Sequence, residues 1–148
     1  MAETDLIKLY SARILDLAAA IPHTGRLAAP HGTARRRSPL CGSVVTVDVV
    51  MQGGRVAGFA QEVRACALGQ AAAAVTGRAL VGRSRAEVEG ARDALRAMLA
   101  GGPVPPAPWD GFEVLTPARD YRNRHASILL AIEAAAEAVA AAETAATA

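Results

Sequence analysis

The fold of this chain is constrained most by two β-branched runs separated by a glycine pair, in the stretch SVVTVDVVMQGGRVAGFAQEV. The runs cover residues 44–52 and 55–63. The glycines between them, Gly53 and Gly54, suit a tight turn with positive φ angles, the kind that joins adjacent antiparallel strands. We therefore predict a β-hairpin with the glycine pair at its tip.

Side chains alternate between the two faces of a strand, and the first run of the hairpin shows this alternation. Val45, Val47 and Val49 share one face, whereas Thr46 and Asp48 begin the other. We expect helices to cover the valine face and the opposite face to be wetter, as is common in antiparallel sheets.

Helical patterns flank the hairpin on both sides. Before it, TDLIKLYSARILDLAAAIP predicts a helix capped by Thr4, followed over residues 22–40 by a loop with room for a short edge strand. After it, RACALGQAAAAVTG predicts a helix with Gly77 as its C-cap. The next segment, GRSRAEVEGARDALRAMLAGG, predicts a helix that begins with a capping box of Ser84 and Glu87.

The last third of the chain predicts a proline-rich connector and a long helix. Trp109 and Phe112 are expected to anchor the connector. The helix carries a core-facing apolar stripe, made of Ile128, Ile132, Ala135 and Val139. The predicted fold class is α+β, a small antiparallel sheet packed on helices, in one domain over 1–148 with its core at 5–140 and a frayed tail at 141–148.

Composition argues against several classes of function. Sixteen Lys and Arg against 14 Asp and Glu give a formal net charge of +2. Apart from TARRRS the basic residues are scattered and lack interleaved aromatic residues, so no nucleic-acid partner is expected. The acidic start MAETD lacks the basic region of a signal peptide, and no membrane span of about 18 apolar residues is expected. Two cysteines in such a chain indicate a reducing, cytoplasmic location.

The two cysteines mark a candidate metal site. Cys41 precedes the first hairpin strand and Cys66 follows the second, and because an antiparallel hairpin returns to its start, both lie at one edge of the sheet. Cys66 also opens a helix, whose amides favour thiolate over thiol. His125 lies at the core-facing stripe of the last helix, so its ring is expected to point toward the sheet, and a neutral imidazole binds zinc, iron or copper. Cys41, Cys66 and His125 would form a soft three-ligand site with an open fourth position.

Other interpretations of these residues stay open from spacing alone. Buried cysteines often serve only as small apolar side chains, and an interior histidine can be hydrogen-bonded without binding a metal. A Cys41–Cys66 disulfide has the same geometric support as a shared metal ion.

Four segments in order resemble the U-type iron–sulfur cluster assembly scaffolds, the family of the NifU N-terminal domain: SPLCGSVVTVDV, GFAQEVRACALGQAAAAV, VGRSRAEVE and RHASILLAIEA. The resemblance implies a three-stranded sheet with helices and a transient iron–sulfur cluster, with 2Fe–2S as the type considered. It also implies as partners a cysteine desulfurase, which supplies sulfur, and apo-proteins that receive the cluster. Cys41 and Cys66 match the first two family cysteines, and His125 matches the histidine before the third.

Two family ligands are missing from this chain. Ala126 replaces the third family cysteine, and Ser43 replaces an aspartate. Because clusters usually take four ligands, mostly thiolates, a cluster here would need an external thiol, a second copy in a homodimer, or weak ligation by Ser43.

The function predicted from the sequence is that of a scaffold-like protein, not an enzyme in its own right. It would bind iron or a nascent cluster and pass it to apo-proteins, with no nucleic acid or membrane involved. One alternative is a zinc-binding adaptor that regulates the assembly machinery through the same residues. A second alternative is a sulfur carrier that holds a persulfide on Cys66.

Overall fold

The structure, a computed structural model, describes residues 11–39 and 42–147. It has the predicted α+β class: a three-stranded antiparallel sheet with helices. In chain order the elements are α1 (Ala12–Ala18), β1 (Gly32–Arg37), β2 (Val44–Gln52), β3 (Arg55–Arg64), α2 (Ala67–Leu80), α3 (Arg85–Leu99), a 3₁₀ helix (Asp110–Asp120) and α4 (Arg122–Thr147).

The predicted hairpin is confirmed, and β2 and β3 pair in antiparallel register around Gly53 and Gly54. Both glycines have positive φ, 62° and 76°, as the primed turn of a two-residue hairpin requires. The loop predicted before the hairpin does contain an edge strand, β1, which pairs with β2 on the side away from β3. The start and the end of the hairpin therefore lie at the same end of the sheet.

Helix α4 covers the valine face of the sheet. It packs against β1 and β2 on one side and against α2 and α3 on the other. Val45, Val47 and Val49 are buried as predicted, and so is the whole apolar stripe of α4, which consists of Ile128, Ile132, Ala135 and Val139. The core is thus a sheet and a central helix, with α2 and α3 as the outer layer.

The expectation of a wetter second face is wrong at Asp48, which is fully buried. The segment before β1 crosses this face, so that Arg26 Nε donates to Asp48 Oδ2 at 2.7 Å and the Leu27 amide donates to the same oxygen at 3.0 Å. Thr33 Oγ1 donates to Asp48 Oδ1 at 2.6 Å. The Arg26 guanidinium, more than the other donors, holds the pKa of the Asp48 carboxyl below its usual value, although burial acts in the opposite direction.

Two helix ends differ from the sequence-based expectation. Ser11 is the N-cap of α1, so the predicted helix does not run unbroken through this position, and Thr4 lies outside the described residues. Gly77 lies inside α2 and is not its C-cap, which is Val81. A Cβ at Gly77 would lie 2.8 Å from the Gln61 side chain, so glycine is needed there for close packing rather than for ending the helix.

The capping box of α3 is confirmed, since Ser84 Oγ accepts from the Glu87 amide while the Glu87 carboxylate accepts from the Ser84 amide. Trp109 and Phe112 are buried as predicted, with parallel rings 6.5 Å apart. The sequence did not predict the 3₁₀ helix, in which Phe112 is a buried residue. At the other end of the chain, α4 continues to Thr147, within the segment 141–148 that was expected to fray.

The expectation that no segment is apolar and long enough to cross a membrane is wrong for Arg122–Ala145 in α4. Most of this stretch is buried inside the protein, because α4 is the central helix of the core. Its apolar character is explained by packing on all sides.

Candidate functional site

The site lies where β2 begins and β3 ends, and its described thiol is that of Cys66. Cys66 is the N-cap of α2, two residues after the last residue of β3. Its side chain makes no capping hydrogen bond, its thiol is free, and it is half-buried. The first turn of α2 carries no acidic residue. Cys66 Sγ is therefore close to the positive end of the helix dipole.

A chain of hydroxyl groups connects this thiol to the start of β2. Ser127 Oγ in α4 lies 3.5 Å from Cys66 Sγ and 3.1 Å from Ser43 Oγ. Ser43 and Ser127 are both buried. Because a hydroxyl can donate and accept, Ser127 can donate to a Cys66 thiolate while it accepts from Ser43. Three separate elements therefore meet at one polar cluster.

Gly69 permits this meeting of α2 and α4. It lies one turn after Cys66, and a Cβ there would be 2.7 Å from Ser127 Oγ and 2.7 Å from the Ala65 Cβ. Real Cβ atoms do not approach other atoms so closely. Glycine at this position thus lets Ser127 reach the thiol.

His125 is held by the 3₁₀ helix rather than by the sheet toward which its ring was expected to point. Its Nε2 lies 2.9 Å from the carbonyl oxygen of Ala118 and 3.1 Å from that of Arg119. Carbonyl oxygens only accept, so Nε2 carries the hydrogen, and in the neutral ring the lone pair is on Nδ1. Metal-ligating histidines are commonly oriented in this way by a carbonyl on the other ring nitrogen.

The predicted ligand set is only partly within the described structure. Cys41 lies outside the described residues, and its neighbour Gly42 donates its amide to the Ser38 carbonyl. Among residues 11–39 and 42–147, no group of three His, Cys, Asp or Glu side chains is placed to hold a metal ion. The set of Cys41, Cys66 and His125 therefore remains a prediction.

Ser127 is the site residue that the sequence interpretation missed. The available signal was a hydroxyl directly before Ile128, at the inward-facing stripe of an alanine-rich helix. A polar group in such a position needs a buried partner.

Searches against models of protein families and against curated proteins found no match. Solved structures do match, and one of them is a NifU-like protein (N-terminal) from Brucella abortus. It has a TM-score of 0.91 and 41% identity, over 95% of this chain and 98% of that chain.

Two further structures agree at lower identity and support the fold alone. A hypothetical protein has a TM-score of 0.80 and 24% identity over 90% of this chain and 98% of its own. A protein from Fervidobacterium islandicum, described as an iron–sulfur cluster assembly scaffold for the SUF system, has a TM-score of 0.80 and 20% identity over 90% and 98%.

The three-stranded sheet, the central helix and the thiol at the start of α2 define a domain of the U-type scaffold class. This chain belongs to the NifU-like N-terminal domain family. The resemblance inferred from the sequence is thereby confirmed.

Proposed function

We propose that this protein is a scaffold-like component of iron–sulfur cluster assembly. It binds iron or a nascent cluster through Cys41 and Cys66, with His125 as a third ligand or orienting group, and passes the cargo to apo-proteins. A cysteine desulfurase supplies the sulfur, and the protein acts in the cytoplasm without being an enzyme itself. Membership of the NifU-like family supports this proposal.

The observation that carries the proposal is the setting of Cys66. Its free, half-buried thiol is at a helix N-terminus and 3.5 Å from a hydroxyl that can donate to it. A purely structural cysteine needs neither feature, whereas a thiolate ligand is stabilised by both.

The donors of the chain fit an incompletely coordinated cargo. The sequence contains two cysteines, and His125 has its lone pair on Nδ1 when neutral. Soft thiolates and an imidazole are suitable ligands for iron and zinc. They are fewer than the four ligands that a cluster usually takes, so one chain would hold a cluster loosely. Loose ligation suits a protein that gives its cargo away.

The test is the iron and acid-labile sulfide content, with the visible spectrum, of protein purified without oxygen. We expect iron and sulfide in equal amounts in the wild type and a loss of both in Cys66→Ser. Thr76→Ser is the matched control, because Thr76 is a buried residue of the same helix whose hydroxyl donates to the Ala72 carbonyl. Equal iron and sulfide in Cys66→Ser and the wild type would overturn the proposal.

A zinc-binding adaptor is the second candidate function. It is favoured by the carbonyl-oriented ring of His125 and by Ala126 and Ser43 at positions of family ligands. One zinc ion per chain without sulfide in the same preparation would support it.

A persulfide carrier is the third candidate, because Cys66 is free and half-buried rather than fully enclosed. Incubation with a cysteine desulfurase and cysteine, followed by mass spectrometry, tests it. The carrier function requires a mass gain of one sulfur on Cys66.

A further inference from the structure

We propose that the outer edge of β1 is a docking site for an extended, acidic segment of a partner protein, which adds to the sheet as a further strand. The basic run TARRRS, residues 33–38, forms most of β1. Its backbone supplies hydrogen bonds to the added strand, and its arginines select carboxylates. This inference goes beyond the proposed function, since it requires neither the metal ligands nor a bound cluster.

The edge of β1 differs from the opposite edge of the sheet in having no partner. At β3, the Gly25 amide donates to the Gln61 carbonyl at 2.9 Å, and the Gln61 amide donates to the His23 carbonyl at 2.9 Å. The chain thus pairs with the outer side of β3. Within residues 11–39 and 42–147, no segment pairs with the side of β1 that faces away from β2.

The register of the sheet shows which backbone groups of β1 point to this edge. The Ser38 amide donates to the Ser43 carbonyl at 2.8 Å, and along an antiparallel ladder such hydrogen-bonded pairs alternate with unbonded ones. Gln61 agrees with this alternation, because its outward bonds leave the opposite residue, Val47, to bond with β1. The residues whose amides and carbonyls point outward are therefore Thr33, Arg35 and Arg37.

The side chains of these three residues are on the sheet face that α4 does not cover. Gly32 marks the covered face, because a Cβ there would overlap the Ala138 carbonyl oxygen of α4. Successive residues of a strand face opposite sides, so Thr33 and the two arginines face away from α4. Consistent with this, Thr33 Oγ1 donates to Asp48 Oδ1 at 2.6 Å on the uncovered face. The arginines are thus on the other side of the sheet from the thiol that α4 contacts.

The positive charge at the edge is not neutralised. Arg35 and Arg37 are exposed, and neither is in an ion pair or a side-chain hydrogen bond within the described part of the chain. Arg36, between them, faces α4 and pairs with Glu137 at 3.2 Å. On the uncovered face the arginines outnumber the carboxylates: Arg26, Arg35, Arg37 and Arg64 against Asp48 and Glu62. Unpaired backbone groups and unpaired positive charge therefore occur together.

The register also sets the sequence that an added strand should have. Residues directly opposite each other in adjacent strands share a face, so the partner residues opposite Arg35 and Arg37 lie beside the guanidinium groups. Carboxylates are favoured there, because guanidinium groups bind them with paired hydrogen bonds. The position between them faces the side on which Arg36 is already paired, so it needs no charge. The preferred segment carries acidic residues at alternate positions.

The same features favour an acidic strand over two other occupants. A second copy paired antiparallel through its own β1 and centred on Arg35 would place arginines directly opposite arginines, which is destabilising. The strand residues of the uncovered face include no aromatic residue on which the bases of a single-stranded nucleic acid could stack. An extended peptide satisfies both the amides and the carbonyls of an open edge.

The first test is backbone amide hydrogen exchange, followed by NMR on the metal-free full chain, without and with a short peptide that alternates glutamate and valine. In the free protein, the amides of Ala34 and Arg36 should exchange slowly because they bond to β2. The amides that the peptide should protect, slowing their exchange several-fold, are those of Thr33, Arg35 and Arg37. The same peptide with its edge-facing amides N-methylated should give no such protection, because it lacks the donors of the added strand.

The second test measures the affinity for the same peptide by NMR titration. Arg35→Gln/Arg37→Gln should weaken binding about fivefold, the loss expected from two exposed ion pairs. The control is Arg13→Gln/Arg78→Gln, which removes the same charge from two exposed helix residues that are in no described ion pair. The control should bind like the wild type.

Several results would overturn the inference. They are absence of peptide binding, equal binding of a peptide with lysine in place of glutamate, equal binding of the N-methylated peptide, and equal weakening in both double variants. Protection of the Arg35 amide that grows with protein concentration without peptide would assign the edge to a second copy instead. Tighter binding of a single-stranded oligonucleotide than of the acidic peptide would assign it to nucleic acid.

Discussion

At the scale of single residues, Ser127 determines how Cys66 is held. Its hydroxyl is between Ser43 Oγ and Cys66 Sγ, and no other described side chain is recorded within hydrogen-bonding distance of that sulfur. The serine therefore both satisfies a buried polar group and supports a thiolate. Ser127 Oγ therefore matters both for the packing of α4 and for the surroundings of Cys66 Sγ.

Ser127→Ala is expected to slow alkylation of Cys66 by iodoacetamide a few-fold, because the thiolate loses a hydrogen-bond donor. The free energy of unfolding should fall by about 1 kcal/mol, as is usual for one lost hydrogen bond. Mass spectrometry over time and urea unfolding measure the two effects. Thr144→Ala is the control, since this hydroxyl also bonds within α4 but far from the thiol. Alkylation at the wild-type rate in Ser127→Ala would show that the contact has no effect on Cys66.

Asp48 illustrates a second residue whose importance comes from its partners. The pKa of the Asp48 carboxyl is lowered in the folded protein, chiefly by Arg26. The interactions of the carboxylate therefore stabilise the fold at pH values above the ordinary pKa of 3.8. This stabilisation is lost as the pH falls through the lower pKa of the folded state. Asp48→Asn should lower the free energy of unfolding by about 1–2 kcal/mol at pH 7, since Arg26 is half-exposed and part of its interaction is screened.

The decisive measurement is urea unfolding at several pH values between 7 and 3. Wild-type stability should fall more steeply in acid than that of Asp48→Asn, and the two curves should approach each other below about pH 4. Glu62→Gln, an exposed carboxylate 4.0 Å from the same arginine, should change little at neutral pH. Parallel curves for Asp48→Asn and the wild type would contradict this account.

At the scale of elements, two helix glycines make a matched pair. Gly69 in α2 is against Ser127, whereas a Cβ at Gly90 in α3 would meet nothing within 4 Å. Gly69→Ala should cost about 1–3 kcal/mol through overpacking and should disturb the Cys66 thiol. Gly90→Ala should stabilise the protein by about 0.5–1 kcal/mol, because alanine is the better helix former. Thermal or urea unfolding reports both, and effects of the same sign would refute the close approach of α2 and α4.

The elements also show what a sequence can and cannot predict. The hairpin and the α3 capping box were predicted because their signals, a glycine pair and Ser84 with Glu87, act over a few residues. Gly77 was misread as a helix end because its close neighbour, the Gln61 side chain, is on another element. The burial of Asp48 was missed for the same reason, since its arginine partner is 22 residues away.

In the candidate site, too, the sequence predicted what local patterns determine and missed what depends on distant residues. Cys66 was placed correctly at the end of the sheet because a hairpin returns to its start. The contact of its thiol with Ser127 joins residues 61 positions apart, and nothing local in the sequence indicates it. Local patterns thus predicted the elements and one thiol, whereas the hydroxyl chain depends on tertiary packing.

At the scale of the whole molecule, the central position of α4 determines where its charged residues lie. The helix is surrounded by the sheet, α2 and α3, so its middle carries few charges, and Glu133 and Glu137 near its edge pair with Arg36 or Arg96. Arg122 and Arg124 are in its first turn, and neither is in an ion pair within the part of the chain that the structure describes. The same helix carries Ser127, which contacts Cys66, so the central helix both fills the core and reaches the site.

Whether one chain can hold its cargo alone depends on the number of thiols that the whole molecule brings together. Ala126 is half-buried between His125 and Ser127, so a sulfur there adds a third thiolate beside Cys66 without entering the packed core. Ala126→Cys should raise iron and sulfide per chain in anaerobic preparations and make cluster retention less dependent on an external thiol. Ala140→Cys, half-buried in the same helix but more than three turns further on, should raise neither. If both variants behaved alike, the missing cysteine would not be what limits the cargo.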